Sequence, residues 1–229
     1  MEHLPNGLTL SIPPGCFPLS TDSMILAHFA RPGKKTLDLG SGCGTLGLLL
    51  CAQDDRCTVT GLELDETAHA AALDNIHRNG LELRMTSICA DLRQVRDHIA
   101  PGAFDTCVSN PPYFPGGPAS KATPLARRED CCSPEELFQA AAWSLRTGGS
   151  FFLIHRPERL AQLCACASIA GLEPKRLRLI RHRSDGPVTL IALHCKKGGK
   201  PGLIWEERSL YDPHGDPTHY HKELYHIEE

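Results

Sequence analysis

The chain contains no long apolar run. Hydrophobic residues make up 41% of its 229 residues, yet no stretch is both apolar enough and long enough to cross a bilayer. Its first residues, Met1–Asn6, lack the basic and then apolar order of a secretory signal peptide. From these two absences we expect a cytoplasmic protein without a membrane partner.

Metal-site spacing is absent among the eleven cysteines. No Cys-x-x-Cys pair occurs, Cys131 and Cys132 are adjacent, and one residue separates Cys164 from Cys166. We therefore predict reduced core thiols and no metal site. The histidine-containing segment 214–226 is rich in Pro, Gly and Asp, and it is predicted to be a solvated loop. The cysteines in apolar runs include Cys51, Cys89, Cys107 and Cys195.

The chain also lacks an excess of positive charge. Its 24 Lys and Arg residues stand against 27 Asp and Glu residues, which gives a net charge of −3. This balance argues mildly against a general nucleic-acid-binding surface. Binding of phosphates at a local basic patch is still compatible with the sequence, because basic runs lie at 176–183 and 196–200. The first run is equally well interpreted as the solvated face of a strand.

Apolar runs of strand length alternate with segments of helix length. Such alternation predicts an α/β fold with a parallel sheet and right-handed crossovers. The last two predicted strands, 175–181 and 188–196, are separated by six residues. That is too few for a crossover, so this pair is predicted to be an antiparallel hairpin. The other predicted strands are 36–40, 57–63, 84–90, 104–110 and 149–155, and the predicted helices are 23–30, 44–53, 65–79, 93–99, 134–146 and 157–171.

The sequence shows no internal repeat, no low-complexity segment and no second domain. A chain of this length can form one sizeable core, so we predict a single domain over residues 1–229. Residues 1–33 are predicted to be an N-terminal extension that covers a cofactor. Residues 114–132, which are rich in Pro, Gly and small side chains, are predicted to be a mobile substrate loop.

A glycine-rich turn, 40–44, follows the first predicted strand. Glycines let the backbone approach a ligand closely, and the helix start that follows presents free N–H groups. Asp38 lies in the strand end before the glycines, where a carboxylate could meet a cationic ligand. Glu63 closes the next strand about 20 residues later, at the position where an acid receives two ribose hydroxyls. The turn alone also fits dinucleotide-binding proteins, but the whole pattern indicates an adenosine cofactor.

The run Asn110-Pro111-Pro112-Tyr113 ends the predicted strand 104–110. Its double proline stops the strand abruptly. The amide oxygen of Asn110 and the carbonyl oxygen of Pro111 can both accept hydrogen bonds from one exocyclic amine. Tyr113 can stack on the ring that carries this amine. These groups predict a planar nitrogen substrate, such as a nucleobase or an amide.

Together these motifs resemble the class I S-adenosylmethionine-dependent methyltransferases whose fourth strand ends in Asn-Pro-Pro-Tyr. Within that class the chain most resembles the bacterial tRNA (adenine-N6)-methyltransferases that modify valine tRNA beside the anticodon. The resemblance covers nearly the whole chain and implies a Rossmann-like, mostly parallel seven-stranded sheet with an antiparallel last strand. Its further matches are 17–27, Leu62–Asp65, Ala126–Glu129, Ser209–Gly215 and Leu224–Tyr225.

The resemblance implies S-adenosyl-L-methionine as cofactor, S-adenosyl-L-homocysteine as product and methylation of an adenosine 6-amino group in tRNA by in-line displacement. Asp91 would bond the cofactor's adenine amine, although it is equally suited to cap a helix near Leu92. Thr21 and Asp22 are suited to cap the helix 23–30. The expected catalytic residues are Asn110, Pro111, Pro112 and Tyr113; the expected cofactor-binding residues are Thr21, Asp38, Gly40, Ser41, Gly42, Gly44, Glu63, Leu64, Asp91, Leu92 and Asn110; the expected substrate-binding residues are Tyr113, Phe114 and Arg127.

Other functions stay open at this point. The acceptor could be a release-factor glutamine, an rRNA guanine or a DNA adenine. Release-factor enzymes generally carry a helical N-terminal domain, for which the residues before the first strand are too few, and DNA enzymes usually carry a target-recognition domain, of which no insert is evident. A non-catalytic cofactor-binding or RNA-binding module and a nicotinamide-dependent oxidoreductase are further alternatives. We expect a monomer or weak dimer.

Overall fold

One mostly parallel sheet forms the centre of the protein. The computed structural model describes residues 1–4, 7–111 and 132–225. No helix in these ranges combines the length and the apolar character that a membrane crossing requires. The strands are β1 (Glu2–His3), β2 (Thr9–Leu10), β3 (Lys35–Leu39), β4 (Thr58–Glu63), β5 (Met85–Cys89), β6 (Phe104–Ser109), β7 (Leu145–His155), β8 (Leu172–Arg183), β9 (Val188–Lys197) and β10 (Ile204–Tyr211). The α-helices are α1 (Thr21–Phe29), α2 (Thr45–Gln53), α3 (Glu66–Arg78), α4 (Val95–His98), α5 (Pro134–Ser144), α6 (Leu160–Ile169) and α7 (His219–Tyr225).

The main sheet has eight strands in the order β10-β8-β9-β7-β6-β3-β4-β5. Only β9 runs against its neighbours, β7 and β8, and every other adjacent pair in this sheet is parallel. The short strands β1 and β2 form a separate antiparallel pair. The α/β fold, the parallel sheet and the antiparallel hairpin of β8 and β9 are thereby confirmed.

Besides the short pair β1 and β2, the structure adds one strand to the main sheet and one helix that the sequence pattern does not predict. β10 pairs in parallel with β8 at the sheet edge, and its middle residues Glu206, Glu207 and Arg208 give it no apolar run. Helix α7 occupies part of the segment predicted to be a solvated loop, so that prediction was wrong there. Arg178 of β8 connects both additions, because it donates to Glu206 (2.9 Å) and to the hydroxyl of Tyr220 (3.2 Å).

Helices cover both faces of the sheet. In β7, Phe152 packs in the core that contains Phe29 of α1, whereas Phe151 packs in the core that contains Phe138 of α5. The ring centroids are 5.9 Å apart in the first pair and 5.2 Å apart in the second. Successive side chains of a strand point to opposite faces, so a strand buried on both sides reads as a continuous apolar run. With both faces covered, the strand ends are left for ligands.

Helix α1 begins two residues before its predicted start. Its N-cap is Ser20, whose Oγ accepts from the N–H of Ser23 (3.3 Å). The expectation that Thr21 or Asp22 caps this helix was therefore wrong. Thr21 is the first helical residue, and its hydroxyl forms a hydrogen bond with the Tyr225 hydroxyl (2.9 Å).

Asn75 of α3 and Asn79, the C-cap of this helix, hold the N-terminal extension. Asn79 accepts from the N–H of Thr9 and donates to its carbonyl, both at 2.8 Å. Asn75 pairs with Ser11 in the same way, at 2.8 and 2.9 Å, and also donates to the carbonyl of Cys43 (3.0 Å). A side-chain amide offers a donor and an acceptor as the backbone does, so these pairs imitate strand pairing. The buried Asn75 thus joins the extension to the turn after β3.

The ten cysteines that the structure describes are free thiols, as predicted. Six of them are buried. Cys89 is exposed at the end of β5, so a core position for this residue was wrong. The buried thiols are Cys43, Cys51, Cys57, Cys107, Cys166 and Cys195.

Candidate active site

A cavity of about 600 Å³ lies at the carboxyl ends of the parallel strands. This is the edge at which open α/β sheets bind ligands. The wall includes the turns after four strands and part of the N-terminal extension. The main segments that line it are 14–17, 39–43, 62–68, 90–92 and 109–111.

The glycine turn after β3 presents its backbone to this cavity. Gly40 and Gly42 have φ angles of +73° and +55°, and a Cβ at either residue would meet no atom within 4 Å. The N–H groups of Gly40 and Ser41 both donate to the carbonyl of Leu62, at 2.9 and 3.2 Å. The left-handed backbone favours glycine, and the absence of a side chain leaves space for close approach of a ligand.

Glu63 fixes the geometry between this turn and the next one. Its Oε2 accepts from the N–H of Gly42 (2.7 Å), and its Oε1 accepts from the N–H of Asp65 (2.9 Å). Each carboxylate oxygen has a further lone pair for another donor. The carboxylate is therefore held in the cavity wall, in an orientation that suits a diol.

Two polar side chains beside the turn have no hydrogen-bond partner within the described ranges. They are Ser41, a residue of the cavity wall whose Oγ is buried, and Asp38, which precedes Leu39 in β3, has two buried oxygens and does not line the cavity. Burial, together with the charge of Glu63, raises the pKa of the Asp38 carboxyl to about 8. A buried polar atom without a partner costs free energy. The orphaned Ser41 hydroxyl therefore fits a turn that a polar ligand completes.

The far wall combines an acid with apolar side chains. Asp91 caps the short 3-10 turn Leu92–Gln94, because its Oδ1 accepts from the N–H of Arg93 (2.9 Å), while its Oδ2 accepts from Arg93 Nε (2.8 Å). The hydrogen bond from the Arg93 side chain lowers the pKa of Asp91. Leu64 and Leu92 line the same wall, and Leu64 is 46% exposed. An exposed leucine beside an acid suits a flat heterocycle with an exocyclic amine.

Asn110 and Pro111 form the cavity wall where β6 ends. The Nδ2 of Asn110 donates to Ser23 Oγ (3.2 Å), which lies 3.3 Å from Ser20 Oγ. This contact engages the nitrogen end of the amide. The strand end thus brings a side-chain amide and a backbone carbonyl to the same cavity as the glycine turn.

The cavity brings together most of the predicted site residues that the structure describes. Thr21, Asp38 and Gly44 do not line it, so no described contact supports their predicted cofactor role. Gly44 has a packing role, because a Cβ there would lie 2.9 Å from the methyl carbon of Met85. Pro112, Tyr113, Phe114 and Arg127 lie outside the described residues. The predicted residues that line the cavity are Gly40, Ser41, Gly42, Glu63, Leu64, Asp91, Leu92, Asn110 and Pro111.

Sequence reasoning missed Ser23 and Asn75. Ser23 is 4% exposed on a helix whose other buried residues are all apolar. A lone polar residue among inward-facing apolar positions is the signal that could have found it. Asn75 is likewise a fully buried polar residue, on the apolar side of α3.

The basic run 176–183 makes contacts within the protein. The guanidinium of Arg176 lies 4.1 Å from the centre of the Phe29 ring. Arg178 is buried against Glu206, and Arg181 pairs with Glu207 at 3.3 Å. These contacts give the first part of the run a packing role. Within the described ranges, no group of three or more His, Cys, Asp or Glu side chains could hold a metal ion.

A family model described as the methyltransferase small domain matches residues 20–162. The chain belongs to this methyltransferase family. It is an S-adenosyl-L-methionine-dependent enzyme, and the cavity has the glycine turn and the acid that suit an adenosine cofactor.

Similar proteins agree with this family. A "tRNA1(Val) (adenine(37)-N6)-methyltransferase" from Bacteroides fragilis is 31% identical over 78% of this chain and 80% of its own length. An enzyme of the same name from Shewanella halifaxensis is 31% identical over 71% of this chain and 73% of its own. The chain belongs to the same sequence family as these two enzymes.

Solved structures share the fold. A predicted O-methyltransferase from Agrobacterium tumefaciens superposes with a TM-score of 0.75 at 20% identity, over 90% of this chain and 96% of that one. A SAM-dependent methyltransferase from Aquifex aeolicus superposes with a TM-score of 0.56 at 12% identity, over 77% of this chain and 89% of that one. The expected Rossmann-like methyltransferase fold is confirmed.

We predict that Glu63→Gln weakens binding of S-adenosyl-L-homocysteine by about 10- to 100-fold, because hydrogen bonds to a charged acceptor contribute about 1.5–3 kcal/mol. Titration calorimetry of the purified variant measures the dissociation constant. Glu82→Gln is the matched control, because Glu82 is exposed and does not line the cavity. Equal affinities of the two variants would contradict the assigned role.

We also predict a pH-dependent contribution of Asp38 to stability. Its folded-state pKa of about 8 lies above the unfolded value of about 3.9, so folding favours the protonated carboxyl. That contribution is fully present below the unfolded pKa and is lost as the pH rises through about 8. The free energy of unfolding of Asp38→Asn should therefore fall less than that of the wild type between about pH 5 and pH 9.

Urea denaturation at a series of pH values measures this difference. Asp97→Asn, at an exposed aspartate of α4, is the control and should follow the wild type. If the free energy of unfolding changed with pH equally in the wild type and in Asp38→Asn, the pKa of the buried Asp38 carboxyl would not be raised as predicted.

Proposed function

We propose that the protein methylates the 6-amino group of an adenosine in tRNA, at position 37 of a valine tRNA. The observation that carries this proposal is the placement of Asn110 and Pro111 in the same cavity as the glycine turn. The names of the similar enzymes from Bacteroides and Shewanella support the choice of acceptor. A cytoplasmic protein that acts as a monomer or weak dimer is consistent with this role.

Different cavity residues would contact different parts of the cofactor. The Glu63 carboxylate would hold the ribose hydroxyls, and Leu64 and Leu92 would flank the adenine, with Asp91 accepting from its amine. The glycine turn and the Ser41 hydroxyl would contact the remaining polar part. When bound, S-adenosyl-L-methionine supplies an electrophilic methyl group on a sulfonium sulfur.

The chemical difficulty lies with the acceptor nitrogen. The lone pair of an adenine 6-amino group is delocalised into the ring, so the amine is planar and a poor nucleophile. Asn110 Oδ1 and the Pro111 carbonyl would each accept one of its hydrogens, which favours a pyramidal nitrogen with a localised lone pair. Such contacts stabilise the transition state more than the ground state, and they also fix the approach of the nitrogen. Methylation makes the amine acidic, so its proton passes to water without a strong base.

The substrate loop and the N-terminal extension would complete the site. We assign base stacking to Tyr113 and Phe114 and phosphate contact to Arg127, on their sequence positions alone. Residues 14–17 of the extension line the cavity, and Asn75 and Asn79 anchor the segment just before them. These contacts support the proposal that the extension covers the cofactor. A loop nucleotide can be unstacked into the cavity at low cost.

Methylation of defined transcripts tests the proposed function. The purified protein is incubated with S-adenosyl-L-methionine and a valine tRNA transcript that carries either adenosine or guanosine at position 37. Mass analysis of the nucleosides should show N6-methyladenosine with the first transcript and none with the second. Methylation of DNA or of a release-factor glutamine instead, or an inactive protein, would contradict the proposal.

We predict that Asn110→Ala lowers the rate of tRNA methylation about 10²- to 10³-fold, because the variant lacks a preorganised acceptor for the amine. Its affinity for S-adenosyl-L-homocysteine should stay within about threefold of the wild type, since one neutral hydrogen bond contributes little to binding. Single-turnover kinetics and calorimetry provide the two measurements. Gln139→Ala, the control, removes an exposed amide of α5 and should leave the methylation rate and the affinity unchanged. An Asn110→Ala variant that retains most of the wild-type rate would contradict the assigned role.

A further inference from the structure

We propose that Ser23 is a positioning residue that orients the Asn110 amide for methyl transfer. This inference rests on the proposed role of Asn110. Ser23 lies in α1, 87 residues before Asn110 in the chain, and it is a buried residue of the same cavity wall. Its contact with Nδ2 of Asn110, at 3.2 Å, is a side-chain hydrogen bond that joins α1 to the end of β6.

The direction of this hydrogen bond matters for the chemistry. An amide has one end that accepts and one end that donates. If the nitrogen end of Asn110 faced the substrate, its N–H donors would face the N–H donors of the adenine amine. The amine would then lack the Asn110 acceptor. Because Ser23 Oγ accepts from Nδ2, the donating end of Asn110 is engaged within the protein, and rotation of the amide by 180° is disfavoured.

Ser20 lets the Ser23 hydroxyl act as an acceptor. The two hydroxyl oxygens are 3.3 Å apart, so Ser23 can donate its hydrogen to Ser20 while it accepts from Asn110. Ser20 also accepts from the N–H of Ser23 as the N-cap of α1. The helix start and the amide are thereby parts of one hydrogen-bonded chain, Asn110 to Ser23 to Ser20.

The apolar surroundings hold this chain of hydrogen bonds in place. Ser23 is 4% exposed, and the next four residues of α1, Met24–Ala27, pack in the apolar core. Water therefore competes poorly for the serine hydroxyl, and a buried hydrogen bond of this kind restricts rotation of the groups that it joins. Ser23 acts through Asn110 and needs no contact with the reacting atoms.

Steady-state kinetics of Ser23→Ala test this inference. We expect kcat for tRNA methylation to fall about tenfold, as loss of one hydrogen bond predicts. The KM for tRNA and the affinity for S-adenosyl-L-homocysteine should stay within about threefold. Ser144→Ala is the matched control, because it removes another buried serine hydroxyl, which bonds within α5 and does not line the cavity; its kcat should equal that of the wild type.

A double-mutant cycle separates positioning from general damage to the fold. In the Asn110→Ala background, Ser23→Ala should have no further effect on kcat, because its effect passes through the missing amide. An equal tenfold loss in both backgrounds would overturn the inference, as would a wild-type kcat for Ser23→Ala. Ser23→Thr, which retains the hydroxyl, should recover most of the rate.

A spectroscopic measurement keeps this test independent of the substrate. The side-chain NH2 signals of Asn110 are assigned by their loss in Asn110→Ala. In Ser23→Ala the signal of the N–H that donates to Ser23 should move toward the position of a solvated amide, and in Ser144→Ala it should not. An unmoved signal would overturn the Ser23 contact. Failure of tRNA methylation by the wild type, with the signal moving as expected, would instead overturn the proposed function.

Discussion

The parallel register of β3, β4 and β6 is the constraint on which the rest of the site depends. Leu39 lies opposite Leu62, and Asp38 lies opposite Val108, so the three strands reach the same sheet edge within two residues of each other. The groups that follow them, from Gly40, Glu63 and Asn110, must therefore meet at one cavity. The hydrogen bond between the Gly42 N–H and Glu63 then fixes two of these strand ends to each other.

The cavity wall and the end of β3 beside it retain buried polar groups that a purely structural core would avoid. Asp38 is buried with its pKa raised to about 8, and Ser41 has a buried hydroxyl without a partner in the described ranges. Such groups lower the stability of the fold. Ser41 lies in the glycine turn and lines the cavity, which is consistent with a site whose interactions are completed on cofactor binding, whereas Asp38 does not line the cavity. The N-terminal extension adds to this arrangement, because Asn75 connects it to Cys43 in the same turn.

Sequence could predict those parts of the site that depend on local geometry. The glycine turn, Glu63 and Asn110 stand at the ends of apolar runs, and the topology then places them together. Ser23 and Asn75 stand out only as lone polar residues among apolar ones, and their partners could not be predicted, since these lie 87 and 64 residues away in the chain. The edge strand β10 escaped prediction for the same reason, because it has no apolar run of its own and its Glu206 contacts Arg178 of β8, which lies 28 residues away in the chain.

A structure of the protein with S-adenosyl-L-homocysteine and a valine tRNA anticodon stem-loop tests the central claim most directly. The account predicts that the N6 atom of the target adenosine lies within about 3.2 Å of both Asn110 Oδ1 and the Pro111 carbonyl oxygen, with Asn110 Nδ2 still bonded to Ser23. An Asn110 amide that points away from the base, or an adenosine bound with N6 outside the cavity, would contradict it.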